Sequence, residues 1–415
     1  MKIILTSVGT RGDMEPFIAI GEILKARGHQ VICAFPEQFR ELVTGAELEF
    51  ASLGSKFIEL LESPAGKDAM GGATGFKKIR GTIKLAMNQN EANRELVLNQ
   101  RDVIEREQPD RVVYNGKAVF PVIWQLQRKG KTIFVSPLPY MHYVKGHTHI
   151  AFNSNYGDFF NKLTFSLAYF GLVVTTRMAM KWLGITEKFS RKKIRKVYQY
   201  NQSIYTISPS LFPRPDDWPK DLKVLGYHER KQATDWQPDQ SLMDFLAKHD
   251  KIAFITFGSM INPAPEEKTR VILDILRRHK IPAIINTASG GLIQPANADS
   301  ELFHFVSRIP YGWIFPKVYA VIHHGGSGTT HMGLRHGCAT MIIPHIIDQF
   351  AWNQVVADLG VGPKGIKIGK ITPRNLEPKI LDLMGNPGYK KQAERIKDQM
   401  AQEDLEGELY EAVVG

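Results

Sequence analysis

Cysteine is scarce: Cys33 and Cys338 are the only two in 415 residues, too few and too far apart for a disulfide framework. Each sits among apolar neighbours, which suits a buried free thiol in a reducing compartment. Long apolar runs are missing too. No stretch offers 18 consecutive uncharged apolar residues, so a membrane-crossing helix is not expected. Met1–Val8 is a short strand-like run without the h-region or cleavage site of a secretory signal, and the expected location is cytoplasmic. HExxH and GxSxG are absent, which removes support for a zinc protease or a serine hydrolase. The turn after the first strand reads Gly9-Thr10-Arg11-Gly12 instead of GxGxxG, so the dinucleotide fingerprint is missing where a dehydrogenase would carry it.

What is present is ordinary globular composition, 43% hydrophobic and 23% charged residues. The length suits two domains of about 200 residues each. The formal net charge of +11 is concentrated. Between Asn161 and Tyr200 lie Lys162, Arg177, Lys181, Lys188, Arg191, Lys192, Lys193, Arg195 and Lys196 against Glu187 alone, so that window contributes 9 − 1 = +8. No nucleic-acid-binding fold signature accompanies it. The segment 181–196 reads as a solvated helix face. Its aromatic neighbours Phe165, Tyr169, Phe170 and Trp182 give a second reading, peripheral contact with an anionic membrane surface on the cytoplasmic side.

Along the chain, Lys2–Ser7 is a buried strand, Val8–Pro16 a glycine-punctuated loop, Phe17–Arg27 a helix and Gln30–Ala34 the next strand. Strand, helix, strand at that spacing is a βαβ unit of a parallel sheet. Gly66–Gly81 reads as a loop and Thr82–Glu107 as a helix, with strands at Arg111–Tyr114, Lys131–Ser136 and Ile204–Ile207. Proline and aspartate dominate Phe212–Pro238, the best boundary. The rhythm then restarts at Lys251–Phe257 and continues through Ile281–Asn286, Phe303–Val306, Ala320–His323 and Thr340–Ile343. Gly362–Ile368 and Pro373–Met384 are expected to close the sheet, and Tyr389–Val413 forms one or two helices. This divides the chain into 1–225, 226–388 and a helical segment 389–415.

Three places could carry chemistry. His324 precedes a glycine-rich turn, Gly325–Thr330, that ends a strand and opens a helix. Backbone N–H groups and the helix dipole converge there, which suits a phosphate; a tight βα turn explains the glycines equally well. By strand alternation His324 faces the bound anion and His323 serves structure. Asp348 and Gln349 follow in the next loop; together they could grip sugar hydroxyls, or they could cap a helix. Asp13 lies at the carboxyl edge of the first strand. It is either a general base for an acceptor hydroxyl or a cap of the following helix, with Arg11 as its mate.

These residues resemble a family. HHGGSGTTHMGLRHGCATMIIPHIIDQFAW is similar to the nucleotide-sugar signature of family 1 glycosyltransferases of the GT-B fold, nearest the sterol glucosyltransferase and bacterial antibiotic or macrolide branch. GTRGDMEPFIAIG, WQPDQSLMDFLA, ITFGSM, VSRIPYGWIFPKVYAVIHHGG and DLGVGP agree in type and order. The resemblance implies an α/β fold with two Rossmann-like domains facing across a cleft and a C-terminal helix crossing back to the N-terminal domain. It implies Asp13 as general base, with Thr10 and Gly12 shaping its loop. Gly258 and Ser259 would contact the donor and the Val306 backbone would pair with its base. His324, Gly326, Ser327, Gly328, Thr329 and Thr330 would cradle the diphosphate, and Asp348 and Gln349 would hold the sugar beside Trp352. Met332 stands where plant members put a ribose-binding Glu, and Asp13 where they place a catalytic His. The implied reaction is inverting transfer of a hexose, glucose from UDP-glucose, to a hydroxyl of an apolar acceptor such as a sterol, flavonoid, macrolide or lipid. No cofactor or metal is implied. Two other classes stay open: an NAD-dependent oxidoreductase on two α/β domains, and a non-catalytic nucleotide-sugar or lipid-binding protein.

Overall fold

The structure, a computed structural model, describes every residue except 64–74, 153–154, 231–235, 261, 263 and 289; for 61–62 and 75–88 it describes the backbone alone. The chain divides into two compact units. The first comprises Met1–Gly66, Thr82–Gln232 and Asp404–Gly415, and the second is built on Ala233–Glu403.

In the first unit β1 (Lys2–Thr6), β2 (Gln30–Phe35), β3 (Glu49–Ser52), β4 (Arg111–Tyr114), β5 (Lys131–Ser136), β6 (Ser203–Tyr205) and β7 (Leu222–Val224) form one parallel sheet in the order β3-β2-β1-β4-β5-β6-β7. Strands buried on both faces need apolar residues in succession, which is why Ile3-Ile4-Leu5 reads as an unbroken run. Ile4 joins the core on one face of the sheet, while Ile3 and Leu5 join the core on the other. The strand order reverses between β1 and β4, which opens a crevice at their carboxyl ends.

The second unit repeats the plan. Its strands β8 (Ala253–Thr256), β9 (Ala283–Asn286), β10 (Phe303–Val306), β11 (Ala320–His323) and β12 (Ala339–Ile342) run parallel in the order β10-β9-β8-β11-β12. The reversal here lies between β8 and β11. Two α/β units with these sheets confirm the expected fold class.

Several details differ from the sequence reading. Helix α1 starts at Arg11 and runs to Ala26, well before the expected Phe17. Thr10 caps it and Pro16 is accommodated inside, so Asp13 sits in a first helical turn and not on a loop. Strand β3 was not expected. Gly362–Ile368, expected to close the second sheet, contains no strand. It runs beside β12 without a strand ladder, Thr340 N–H donating to Val361 O (2.9 Å) and Ile368 N–H to Pro344 O (3.0 Å), and Gly362 and Gly365 come so close to the carbonyls of Thr340 and Ile342 that a Cβ would collide with them. The loop expected at Gly66–Gly81 lies outside the described residues as far as 74, and from Gly75 the chain is helical to Glu107. Helix α2 (Asp158–Trp182) is long and apolar enough by composition to cross a membrane, the one such helix among the described residues. Counting uninterrupted residues missed it, because Lys162 and Arg177 bracket a 14-residue uncharged run and the helix continues past both. It is followed by α3 (Arg191–Tyr200).

After the second unit's helices, residues 404–415 rejoin the first unit, as the resemblance implies for the C-terminal helix. That helix (Glu406–Val414) buries Leu409, Ala412 and Val413 in the same core as Ile3, Leu5 and Phe17. Leu409 is 1% exposed. Leu409→Ala is therefore expected to destabilise the first unit by roughly 2–5 kcal/mol, read as a lower urea midpoint, while Glu408→Ala on the exposed face should leave the midpoint unchanged.

Candidate active site

The second unit's crevice is lined by two turns. After β8 the chain makes a turn at Phe257–Met260, closed by Met260 N–H donating to Phe257 O (3.0 Å). Gly258 has φ +56°, a conformation that favours glycine, and its N–H donates to Thr256 Oγ1 at 3.2 Å. Ser259 stands exposed at the tip. After β11 come His324, Gly325 and Gly326, then α4 (Ser327–Arg335) with Gly326 as its N-cap. The His324 ring lies between the two turns. A Cβ on Gly258 would come within 2.9 Å of its Cε1, and a Cβ on Gly326 within 2.6 Å of its Nε2. Both glycines are therefore required by the imidazole as well as by their turns.

His323 and His324 are sorted as strand alternation predicts. His323 is fully buried, and its Nδ1 accepts the Gly325 N–H at 3.0 Å, fixing the turn. His324 is half-buried, with Nδ1 sealed from solvent and unpartnered. Burial, reinforced by nearby His345, pushes its pKa down to about 3, so the ring is neutral at physiological pH. The first backbone bond of α4 runs from Thr330 N–H to Gly326 O (3.0 Å), and the amides before Thr330 keep their helix-start character. The first turn carries no acid to oppose an anion. Gly328 and Thr329 are half-buried there, and Ser327 Oγ lies 3.4 Å from His331 Nδ1. Thr330 turns inward: it is fully buried and its hydroxyl donates to Gly326 O at 2.9 Å.

Asp348 and Gln349 occupy the first turn of α5 (Ile347–Asp358). Gln349 is 3% exposed, and its Oε1 accepts the N–H groups of His345 (2.7 Å) and Ile346 (3.1 Å), so this carboxamide caps its own helix. Asp348 is half-buried beside it. Trp352, one turn on, is fully buried and packs edge-on against His331 with ring centroids 5.2 Å apart. Val306 ends edge strand β10, and its carbonyl accepts from Thr287 N–H at 2.8 Å.

Sequence reading missed two members of this region. His345 Nδ1 bonds Ile343 O (2.9 Å), its Nε2 meets the Asn262 carboxamide, and Asn262 in turn reaches Gly291 O. This relay ties the loop before α5 to the segment after β8. Neither residue has a motif; Pro344-His345 flanking an apolar strand was the available signal.

In the first unit, Gly12 and Asp13 lie in the opening turn of α1, at the β1/β4 crevice. Asp13 Oδ2 accepts from Thr10 N–H (2.8 Å) and Thr10 Oγ1 (3.2 Å). Its ion-pair mate is not Arg11, which binds Glu15 at 2.8 Å, but Lys117 in the loop after β4. Lys117 Nζ lies 3.1 Å from Oδ1 and 3.2 Å from Oδ2. Asn115 holds that loop, donating to Ser7 Oγ (2.9 Å) and Val8 O (2.8 Å) while its Oδ1 accepts the Lys117 N–H (3.1 Å). Oδ1 of Asp13 thus keeps acceptor capacity beyond its contact with Lys117. Beside Gly116 opens a cavity of about 40 Å³ lined by Phe134, Met141, His142, His149 and Tyr169, room for about one water. No group of three or more His, Cys, Asp or Glu among the described residues is placed to hold a metal.

Residues 3–135 match the glycosyltransferase family 28 N-terminal domain, and residues 298–414 match the erythromycin biosynthesis protein CIII-like C-terminal domain. The two matches contain the Asp13 turn and the His324 turn respectively. The chain is thus similar to glycosyltransferases along its length. Its relatives include sterol 3-beta-glucosyltransferase UGT80A2 of Arabidopsis thaliana, 29% identical over 97% of this chain and 64% of that protein. The sterol 3-beta-glucosyltransferase of Debaryomyces hansenii is 25% identical over 96% of this chain and 26% of its own length. The chain thus spans less than two thirds of the Arabidopsis relative and about a quarter of the yeast one. Among solved structures, the glycotransferase of kitacinnamycin superposes with TM-score 0.72 at 16% identity, covering 99% of both chains. The calicheamicin glycosyltransferase CalG4 gives 0.71 at 16% identity, covering 99% of this chain and 97% of its own. Both likenesses establish the GT-B fold.

The buried histidines make the second unit sensitive to acid. Burial pushes His331 and His345 from the usual 6.5 to about 4. Below pH 6.5 the unfolded chain binds protons that the folded unit refuses, so stability falls from pH 6.5 toward about 4 and is flat above that window for these groups. Each such ring adds a slope of about 1.4 kcal/mol per pH unit. Urea titrations at pH 7, 6 and 5 should show His331→Asn losing one such slope relative to wild type.

Proposed function

We propose that the chain is an inverting glycosyltransferase that moves glucose from UDP-glucose to the hydroxyl of a sterol or a similarly apolar acceptor. The observation that carries this reading is the neutral His324 ring, packed between Gly258 and Gly326 at the start of an acid-free helix turn. A neutral imidazole can donate a hydrogen bond to a phosphate oxygen, and the helix start supplies positive potential. The sterol acceptor and glucose are supported by what the relatives are named for. A thymidine diphosphate complex of the spinosyn rhamnosyltransferase SpnG, TM-score 0.65, supports a nucleoside diphosphate as the donor's leaving portion.

In this proposal Asp13 Oδ1 takes the proton of the acceptor hydroxyl. The acceptor oxygen then attacks the anomeric carbon, and the bond from that carbon to the diphosphate oxygen breaks with its electron pair leaving on the diphosphate. One displacement inverts the anomeric centre. His324, Gly326, Ser327, Gly328 and Thr329 receive the developing charge, so a divalent metal is not assigned to that task. Thr330 contributes by fixing the Gly326 carbonyl. Asp348 and the amide nitrogen of Gln349 hold sugar hydroxyls, Gly258 and Ser259 border the donor, and the Val306 backbone borders its base. The reaction is assigned to the cytoplasmic side, where nucleotide-sugars are available to an enzyme with free thiols.

Two substitutions separate binding from chemistry. Asp13→Ala should lower the transfer rate by about 10²–10⁴, with UDP affinity by calorimetry unchanged; transfer at the wild-type rate would remove Asp13 as the base. Gly326→Ala puts a methyl against His324 and should weaken UDP binding at least tenfold without moving the thermal midpoint of the first unit. UDP and dTDP titrated side by side decide the base, and product analysis with a sterol decides the acceptor class.

A further inference from the structure

Helix α2 has two opposite apolar faces, and only one of them is covered. Phe165, Tyr169, Val173 and Met180 are buried in the first unit. Phe160, Leu163, Leu167, Phe170, Val174 and Met178 are exposed, Phe160 at 57% and Phe170 at 55%. With 3.6 residues per turn, steps of three and four place these six in one stripe on the side away from the core. The sequence reading grouped Phe165, Tyr169, Phe170 and Trp182 as one aromatic surface; the fold buries the first two, half-buries Trp182 and turns Phe170 outward. A contiguous apolar stripe of this length on a protein surface marks a contact.

The rim of the stripe is cationic. Arg195 of α3 reaches Ser166 Oγ at 3.4 Å and lies 5.8 Å from the Tyr169 ring centre, so α3 runs along the flank of α2. On it Arg191, Lys192, Lys193 and Lys196 are exposed, as are Lys181 in the last turn of α2 and Lys188 between the helices. Among the described residues, none of the nine cations between 161 and 200 has a carboxylate partner.

We propose that this face seats α2 flat in the interface of an anionic lipid bilayer, the stripe among the upper acyl chains and the α3 cations on lipid phosphates. Charge complementarity selects this occupant. A second copy would bring two +8 windows together, whereas an anionic surface is attracted to the rim while the stripe is buried. Helix α2 lies on the bilayer and does not cross it, because its inner face completes the core of the first unit. The seating is independent of the transfer chemistry.

The test is co-sedimentation of the full chain with vesicles of phosphatidylcholine alone or mixed with phosphatidylserine. Wild type should partition at least tenfold more onto the mixed vesicles, and added salt should weaken that binding. Leu167→Ser/Phe170→Ser/Val174→Ser and Lys192→Gln/Lys193→Gln/Lys196→Gln should each lose at least tenfold, with unchanged circular dichroism. Equal binding to neutral vesicles, no binding to either, or wild-type binding by both variants would overturn the proposal. A dimer in sedimentation velocity that the serine variant dissociates would overturn it in favour of a second copy.

Discussion

A single steric fit organises the second unit: the His324 imidazole occupies the space that a side chain on Gly258 or Gly326 would need. The ring can sit there only because both flanking turns lack a Cβ, and those turns meet only because β8 and β11 are neighbours at the point where strand order reverses. Sheet order, the two glycines and the histidine are thus one constraint expressed three times. The relay from Gln349 through His345 to Asn262 fixes the third loop relative to the first two.

The first unit solves the same problem by charge. Its crevice between β1 and β4 brings Asp13 and Lys117 together, with Thr10 donating to the carboxylate from one side and Asn115 holding the lysine's loop from the other. Asp13 serves the helix as a cap and keeps acceptor capacity facing outward. The two roles weighed for it from sequence are therefore compatible. A capping carboxylate is also a held one, and a general base gains from being held.

Much of this was legible because parallel strands buried on both faces read as apolar runs, and because His324 and the Asp348-Gln349 pair flank the glycine turn between a strand and a helix. What escaped did so for physical reasons. Strand β3 is Glu-Phe-Ala-Ser, a short edge strand with polar ends, so no apolar run announces it. Gly362–Ile368 mimics a strand in composition and runs beside β12, yet Gly362 and Gly365 press its backbone against that strand without forming a ladder. Lys117 lies 104 residues from Asp13, and only the order of strands in the sheet makes them neighbours. The helix start at Arg11 was hidden by Pro16, which lies inside the helix although proline ordinarily marks a helix start or a break. For α2 the composition was visible, but which face met the core was a tertiary fact.

The return of residues 404–415 to the first unit has a consequence for assembly. Leu409, Ala412 and Val413 complete a core whose other members include Ile3, Leu5 and Phe17, so one hydrophobic layer is made from segments some 400 residues apart. On a ribosome, which releases the chain in order, the first sheet would emerge early with that layer uncovered. The bulk of the second unit, residues 233–403, could fold before the first is sealed. Of the two units, the one made first is then the one that finishes folding, and until it does the uncovered layer is a natural substrate for a chaperone.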